Sequence, residues 1–298
     1  MREIILVNDI LHGSMGERVI WNYMLEKIPN IYGVPISNIK EIDKFSKDAI
    51  IIQNATFIPK VDNTRFTICY LQDNIIAMSK KQHHINNQLN TLNNCQHIVF
   101  NSKEIKKSYS QYSGTVIPIG IDEELFNIKD QCSLRQKYNI PNKKVGIFIG
   151  NFTETKGWED VKSIISLNPD IYFILVTKNS ESYSTENSST FSRVKQEVLS
   201  ELINCADFFI LGSPVETQCL AALEAGFCGK PIIMKNTGIF MDWEDRDHVG
   251  VFNNNLFEGI KIYLQSNKTY DTRNFLMLKD LSIKSMIDKW ISLLESIV

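Results

Sequence analysis

Residues 208–226 read Phe208-Phe-Ile-Leu-Gly-Ser-Pro-Val-Glu-Thr-Gln-Cys-Leu-Ala-Ala-Leu-Glu-Ala-Gly226. The four apolar residues Phe208–Leu211 have the length of a buried strand. The Gly212-Ser213-Pro214 run marks a turn, and the Leu- and Ala-rich stretch beyond it predicts a helix. Glu216 falls near the expected helix start and Glu224 two turns further on. The first amides of a helix have no partner within it and carry partial positive charge. Those of Gln218, Cys219 and Leu220 would therefore suit a phosphate. At 1.5 Å rise per residue the two glutamates lie at most roughly 12 Å apart, which is about the reach of a nucleotide-diphosphate sugar. One carboxylate could then hold the sugar and the other the ribose hydroxyls. The plainer reading of the same spacing is a surface helix with two solvated glutamates.

Outward from this segment, short continuous apolar runs alternate with helix-like stretches. Strands are predicted at Ile4–Val7, Ala49–Ile52, Phe66–Leu71, His97–Phe100, Thr115–Pro118, Val145–Ile149, Ile171–Val176, Phe208–Leu211 and Pro231–Met234. Continuous runs are expected of strands covered on both faces, as in parallel sheets. Helices are predicted at Arg18–Ile28, with a 3.6-period stripe of Val19, Ile20, Tyr23, Met24 and Ile28, and at Trp158–Ser166 and Lys195–Cys205. A C-terminal one carries Ile283, Met286, Ile287, Trp290, Ile291 and Leu294. Strand and helix in repeated alternation make this an α/β chain with parallel sheets. The polar stretch Asp122–Lys144 reads as a domain junction. Residues 178–193, rich in Ser, Thr and Asn, read as a surface loop.

The composition agrees with a globular protein of two domains: 298 residues, 43% hydrophobic and 22% charged. With 32 basic against 34 acidic residues the net charge is −2, so the footprint of a general nucleic-acid binder is missing. The apolar run at Ile4–Val7 is too short for a signal-peptide core, and no stretch approaches the roughly 18 apolar residues of a membrane span. The six cysteines form no C-x-x-C pair and have no histidine at metal spacing. Buried thiols in a reducing, cytoplasmic setting are expected.

The segment Glu216–Glu224 resembles the E-x7-E motif of the GT-B-fold retaining glycosyltransferases, in particular glycosyltransferase family 4. Ala206-Asp207-Phe208 before it, and Glu224-Ala225-Gly226 and Gly229-Lys230-Pro231-Ile232-Ile233 after it, agree with that context. Val116-Ile117-Pro118-Ile119-Gly120-Ile121-Asp122, followed by Leu125-Phe126, is similar to the family's interdomain junction, and Asn101-Ser102 to the segment upstream. Ile147-Phe148-Ile149-Gly150 with Lys156-Gly157 looks like its donor-phosphate element. His12-Gly13-Ser14-Met15-Gly16-Glu17, in the first strand-to-helix turn, resembles the family's glycine-rich loop. The resemblance spans residues 97–234, with weaker support on either side.

What it implies is a GT-B architecture: two Rossmann-like α/β domains with parallel sheets facing across a cleft. Residues 1–125 would form the acceptor-side domain, joined by a returning helix at 282–298, and residues 126–281 the nucleotide-sugar domain. Glu216 would contact the transferred sugar, and Lys156 would neutralise charge on the leaving phosphate; a solvated lysine at a helix start is the alternative for the latter. The other donor-side positions would be Gly13, Gly16, Gly150, Asn151, Thr217, Gln218, Cys219, Leu220 and Glu224, the last accepting from the ribose hydroxyls. The implied reaction is metal-independent transfer with retention and without a cofactor. It would proceed by front-face substitution from a UDP- or GDP-sugar to a carbohydrate or glycoconjugate acceptor.

The chain also departs from the family pattern. Asn151 stands where many members have a basic residue, and Glu216-Thr-Gln-Cys-Leu220 replaces the usual E-x-F-G-L. No histidine ends the strand Phe66–Leu71; Gln72 or Asp73 faces the cleft in its place or forms a strand-end turn. Lys80, Lys81, Lys103, Lys106 and Lys107 would form either a basic face toward an anionic membrane or a solvated surface. Two other readings stay open: a catalytically weak or non-catalytic nucleotide-sugar-binding protein on this fold, and a GT-B sugar-nucleotide epimerase.

Overall fold

The computed structural model describes residues 2–8, 15–54, 62, 64–78 and 81–297. The chain divides into two compact units, Met1–Gly120 with Ile283–Val298, and Ile121–Ser282.

The first unit contains β1 (Ile4–Asn8), α1 (Met15–Lys27), β2 (Ile31–Pro35), β3 (Ile50–Asn54), β4 (Thr67–Leu71), α2 (Ile75–Met78), α3 (Gln82–Asn94), β5 (His97–Phe100), α4 (Lys103–Ser108) and β6 (Thr115–Val116). Its sheet runs in the order β2-β1-β3-β4-β5-β6, and every pairing is parallel. Ile4 to Val7, Ile50 to Ile52 and Ile68 to Leu71 are all buried, as strands sandwiched between helices require. The final helix, α11 (Ile283–Ile297), returns to this unit. It buries Met286, Ile287, Trp290 and Leu294, each worth roughly 1.5–3 kcal/mol of transfer free energy. The Trp290 ring stands edge-on to Tyr70 at 5.2 Å. The Tyr70 hydroxyl donates to the carbonyl of Ile117 at 3.0 Å.

The second unit contains α5 (Gln131–Lys137), β7 (Lys144–Ile149), α6 (Trp158–Leu167), β8 (Ile171–Thr177), β9 (Ser188–Ser192), α7 (Gln196–Cys205), β10 (Phe208–Leu211), α8 (Leu220–Phe227), β11 (Ile232–Met234), β12 (Gly250–Phe252), α9 (Leu256–Gln265) and α10 (Thr272–Leu278). Its order is β12-β11-β10-β7-β8-β9, again all parallel. Strand order therefore reverses between β7 and β10, the point at which open α/β sheets bind ligands beyond their carboxyl ends. Ile121 and Phe126 belong to this unit's core.

Three strands escape the apolar pattern. The edge strand β2 contains Gly33 and ends in Pro35, with only Val34 buried. The short β12 lies at the opposite edge of the other sheet. The third, β9, corrects the reading of residues 178–193 as a loop. Ser188–Ser192 pairs with Phe173–Thr177 by backbone alone, and the Asn187 amide secures its start by donating to the carbonyls of Ile165, Asn168 and Ile171 at 3.0–3.1 Å. All six cysteines are free thiols, four of them buried. Among the described residues no helix is long and apolar enough to cross a membrane.

Candidate functional site

Three loops meet beyond the carboxyl ends of β7, β10 and β11. The loop after β7 carries Gly150, Asn151, Lys156 and Gly157, and the loop after β10 carries Gly212 to Cys219. Gly157 has φ +62 and closes a short turn, Glu154–Lys156, before α6 begins. A side chain there would sit 2.1 Å from the Gly212 carbonyl oxygen, so the two loops cross backbone against backbone. That crossing sets Lys156 over the second loop, where its Nζ bonds Glu216 Oε1 at 2.6 Å. Gly150 makes room for the lysine: a Cβ on it would press against Lys156 Cγ at 3.3 Å and Phe148 Cζ at 3.2 Å.

Glu216 is not a helical residue, contrary to the helix expected from the sequence. Helix α8 starts only at Leu220, after Cys219 in the left-handed region at φ 67, ψ 69. The Glu216 backbone N–H donates to Thr237 Oγ1 at 2.8 Å. Thr237 follows β11, and its neighbour Gly238, at φ +75, brings its bare Cα against the carbonyl of Gln218. The helical-rise estimate between Glu216 and Glu224 therefore does not apply, because only the latter is in the helix. The amides that α8 leaves without a helical partner begin at Leu220, and Gln218 and Cys219 lie buried just ahead of them.

Glu224 is buried within α8, and that burial pushes its carboxyl up to about 8, against the opposing charge of Lys178 at the end of β8. Asn151 Oδ1 accepts from Thr177 Oγ1 at 3.4 Å, tying the β7 loop to the strand end next door. Lys235, just past β11, pairs with Asp160 of α6 at 2.7 Å. Asp207, before β10, is a structural clamp: its carboxylate accepts from the Val145 amide at 2.7 Å and from Arg135 at 3.0 Å.

Of the residues expected from the sequence, Gly150, Asn151, Lys156, Thr217, Gln218, Cys219, Leu220 and Glu224 accompany Glu216 in this unit. Gln72, Asp73 and Gly16 belong to the other unit, and Gly13 lies outside the described residues. Gly16 is in the first turn of α1. Gln72 follows β4 and is buried. Its Oε1 accepts from Asn54 at 3.3 Å and its carbonyl from Asn101 at 3.0 Å, while its Nε2 has no partner among the described residues. The Asp73 carbonyl accepts from Gln88 at 3.1 Å. Of the surface lysines, Lys106 donates to the Gly114 carbonyl and Lys107 pairs with Glu104, and Lys80 lies outside the described residues. Sequence reading passed over Thr237, Gly238 and Lys178. The available signal was positional: a glycine-bearing loop follows β11 just as one follows β7 and β10.

Comparison with known proteins adds the following. Residues 130–255 match the family model of the glycosyl transferases group 1. No curated protein sequence matches the chain. Among solved structures, the chain is similar to the sucrose-phosphate synthase of Thermosynechococcus elongatus, with TM-score 0.82 and 13% identity over 100% of this chain and 99% of that one. It is also similar to Anabaena HepE, crystallised with UDP-glucose, with TM-score 0.78 and 14% identity over 99% and 100%. A glycosyltransferase from Rickettsia africae gives TM-score 0.71 and 16% identity over 99% and 98%. The fold is therefore GT-B, and residues 130–255 of its second unit are similar to the glycosyl transferases group 1.

Proposed function

We propose that the chain is a retaining glycosyltransferase that moves a sugar from a nucleotide-diphosphate donor to a carbohydrate or glycoconjugate acceptor without a metal ion. The observation that carries this reading is the Lys156–Glu216 pair, 2.6 Å apart where strand order reverses, with the start of α8 directly after it. A cation, a carboxylate and a helix N-terminus gathered at that point suit a diphosphate with a hydroxylated group attached. HepE's complex with UDP-glucose supports a uridine donor as the first to test.

In this reading the donor diphosphate takes Lys156 and the amides at the head of α8, Glu216 turns to the sugar hydroxyls, and Glu224 receives those of the ribose. Transfer then requires positioning and stabilisation of phosphate charge, both of which these groups supply. The leaving diphosphate accepts the acceptor's proton, and the incoming hydroxyl bonds the anomeric carbon on the face the phosphate leaves. A thermal-shift series with UDP, GDP and ADP and their hexoses tests the reading, because a ligand of the native state raises its apparent stability. Stabilisation by one nucleotide family is expected, followed by acceptor-dependent release of its diphosphate. Conversion of the nucleotide sugar to its epimer in the absence of acceptor would instead point to an epimerase.

A further inference from the structure

We infer that Thr237 is a positioning residue that aims the Glu216 carboxylate, an inference resting on the reading of Glu216 as the group that engages the transferred sugar. Glu216 lies in neither helix nor strand, so no repeating ladder orients its peptide groups. One hydroxyl takes over that task. Thr237 Oγ1 accepts the Glu216 N–H at 2.8 Å and donates to the Glu216 carbonyl at 3.4 Å, thereby holding both peptide groups of one residue.

The next residue continues the fit. A Cβ on Gly238 would lie 3.2 Å from the Gln218 carbonyl and 3.5 Å from Glu216 Cβ, so the β11 loop is moulded to the β10 loop over two consecutive positions. Thr237 is buried, which keeps water from substituting for its hydroxyl. The carboxylate so held reaches Lys156 at 2.6 Å, and a misplacement of about 1 Å at a reacting centre costs on the order of a hundredfold in rate. Thr237 thus acts on the donor sugar only through Glu216.

The test uses the full chain and the nucleoside diphosphate and nucleotide hexose, from the UDP, GDP and ADP series, that stabilise the wild type most. Titration calorimetry gives the affinity for each and hence the step that the hexose adds. Thr237→Val, isosteric but without the hydroxyl, should bind the diphosphate within about twofold of wild type and lose the hexose step by roughly tenfold or more, the cost of unmaking buried hydrogen bonds. Thr237→Ser should recover most of it. In the Glu216→Ala background Thr237→Val should add no further loss. An intact hexose step in Thr237→Val, equal losses in the Val and Ser variants, or an additive loss beside Glu216→Ala would each overturn the inference. Should Thr237→Val not fold, Thr237→Ala is read against the same criteria. A Glu216→Ala protein with an undiminished hexose step would overturn the functional reading itself, and this inference with it.

Discussion

Gly157 and Gly212 touch through their backbones: a Cβ on the first would fall 2.1 Å from the carbonyl oxygen of the second, and one on the second 2.7 Å from the carbonyl oxygen of the first. The contact joins the loops of β7 and β10, and through it the cation and the carboxylate of the site come together. Gly157→Ala meets a backbone clash and a left-handed φ of +62 at once, the latter alone costing about 1–2 kcal/mol. We expect Gly157→Ala to lower stability by more than about 3 kcal/mol, and Gly212→Ala to lower it by less. Denaturant unfolding of the two variants measures both, and a Gly157→Ala protein of wild-type midpoint would refute the crossing.

The Lys156–Glu216 pair separates function from stability. The Lys156 side chain is 35% exposed and that of Glu216 11%, and a pair screened by solvent at its lysine end contributes about 1 kcal/mol to folding. Charge stabilisation of a leaving phosphate is worth on the order of a hundredfold in rate or more. Lys156→Ala and Glu216→Ala should therefore each reduce transfer at least a hundredfold while shifting the melting temperature by only a few degrees. Near-wild-type turnover in either variant would show that the residue has another role.

Glu224 makes stability depend on pH in an unusual direction for a carboxylate. Its titration rises on folding from 4.5 to about 8 because burial disfavours the charge. The native state therefore binds the proton more tightly than the unfolded chain does. Stability from this group is fully present below pH 4.5 and is lost as pH rises through 8. At roughly 1.4 kcal/mol per pH unit, the loss is bounded near 5 kcal/mol. Against Glu224→Gln, the wild type should lose ground steadily between pH 5 and 9 in thermal melts. Lys178→Ala should move the midpoint of that loss to higher pH, because Lys178 opposes the effect of burial.

Cys219 occupies a left-handed conformation, φ 67, immediately before α8. A β-branched residue tolerates that region worst and glycine best. Cys219→Val should destabilise the protein by about 2 kcal/mol, and by more than Cys219→Gly does. Equal midpoints for the two variants in urea would contradict the backbone assignment.

Much of this molecule is written in its local patterns. Continuous apolar runs such as Ile171–Val176 and Phe208–Leu211 are strands because only helices on both faces can cover them. Lys156 and Glu216 were recognisable from their surrounding motifs. The weak strands β2, β9 and β12 were not, because they lie at or beside sheet edges, where pairing through the backbone requires no apolar side chains. Residues 188–192 read Ser-Ser-Thr-Phe-Ser and form a strand only because β8 offers a free edge.

The chain order of residues thus determined the alternation of elements and the parallel sheets, since these depend on burial periodicity and short-range turns. Tertiary structure alone decided where α8 begins, that Thr237 takes the Glu216 amide, and that Lys156, sixty positions earlier, meets Glu216. Those outcomes depend on three loops converging after separate strands, and contacts between distant segments are fixed by how the sheet is ordered, which no local pattern records.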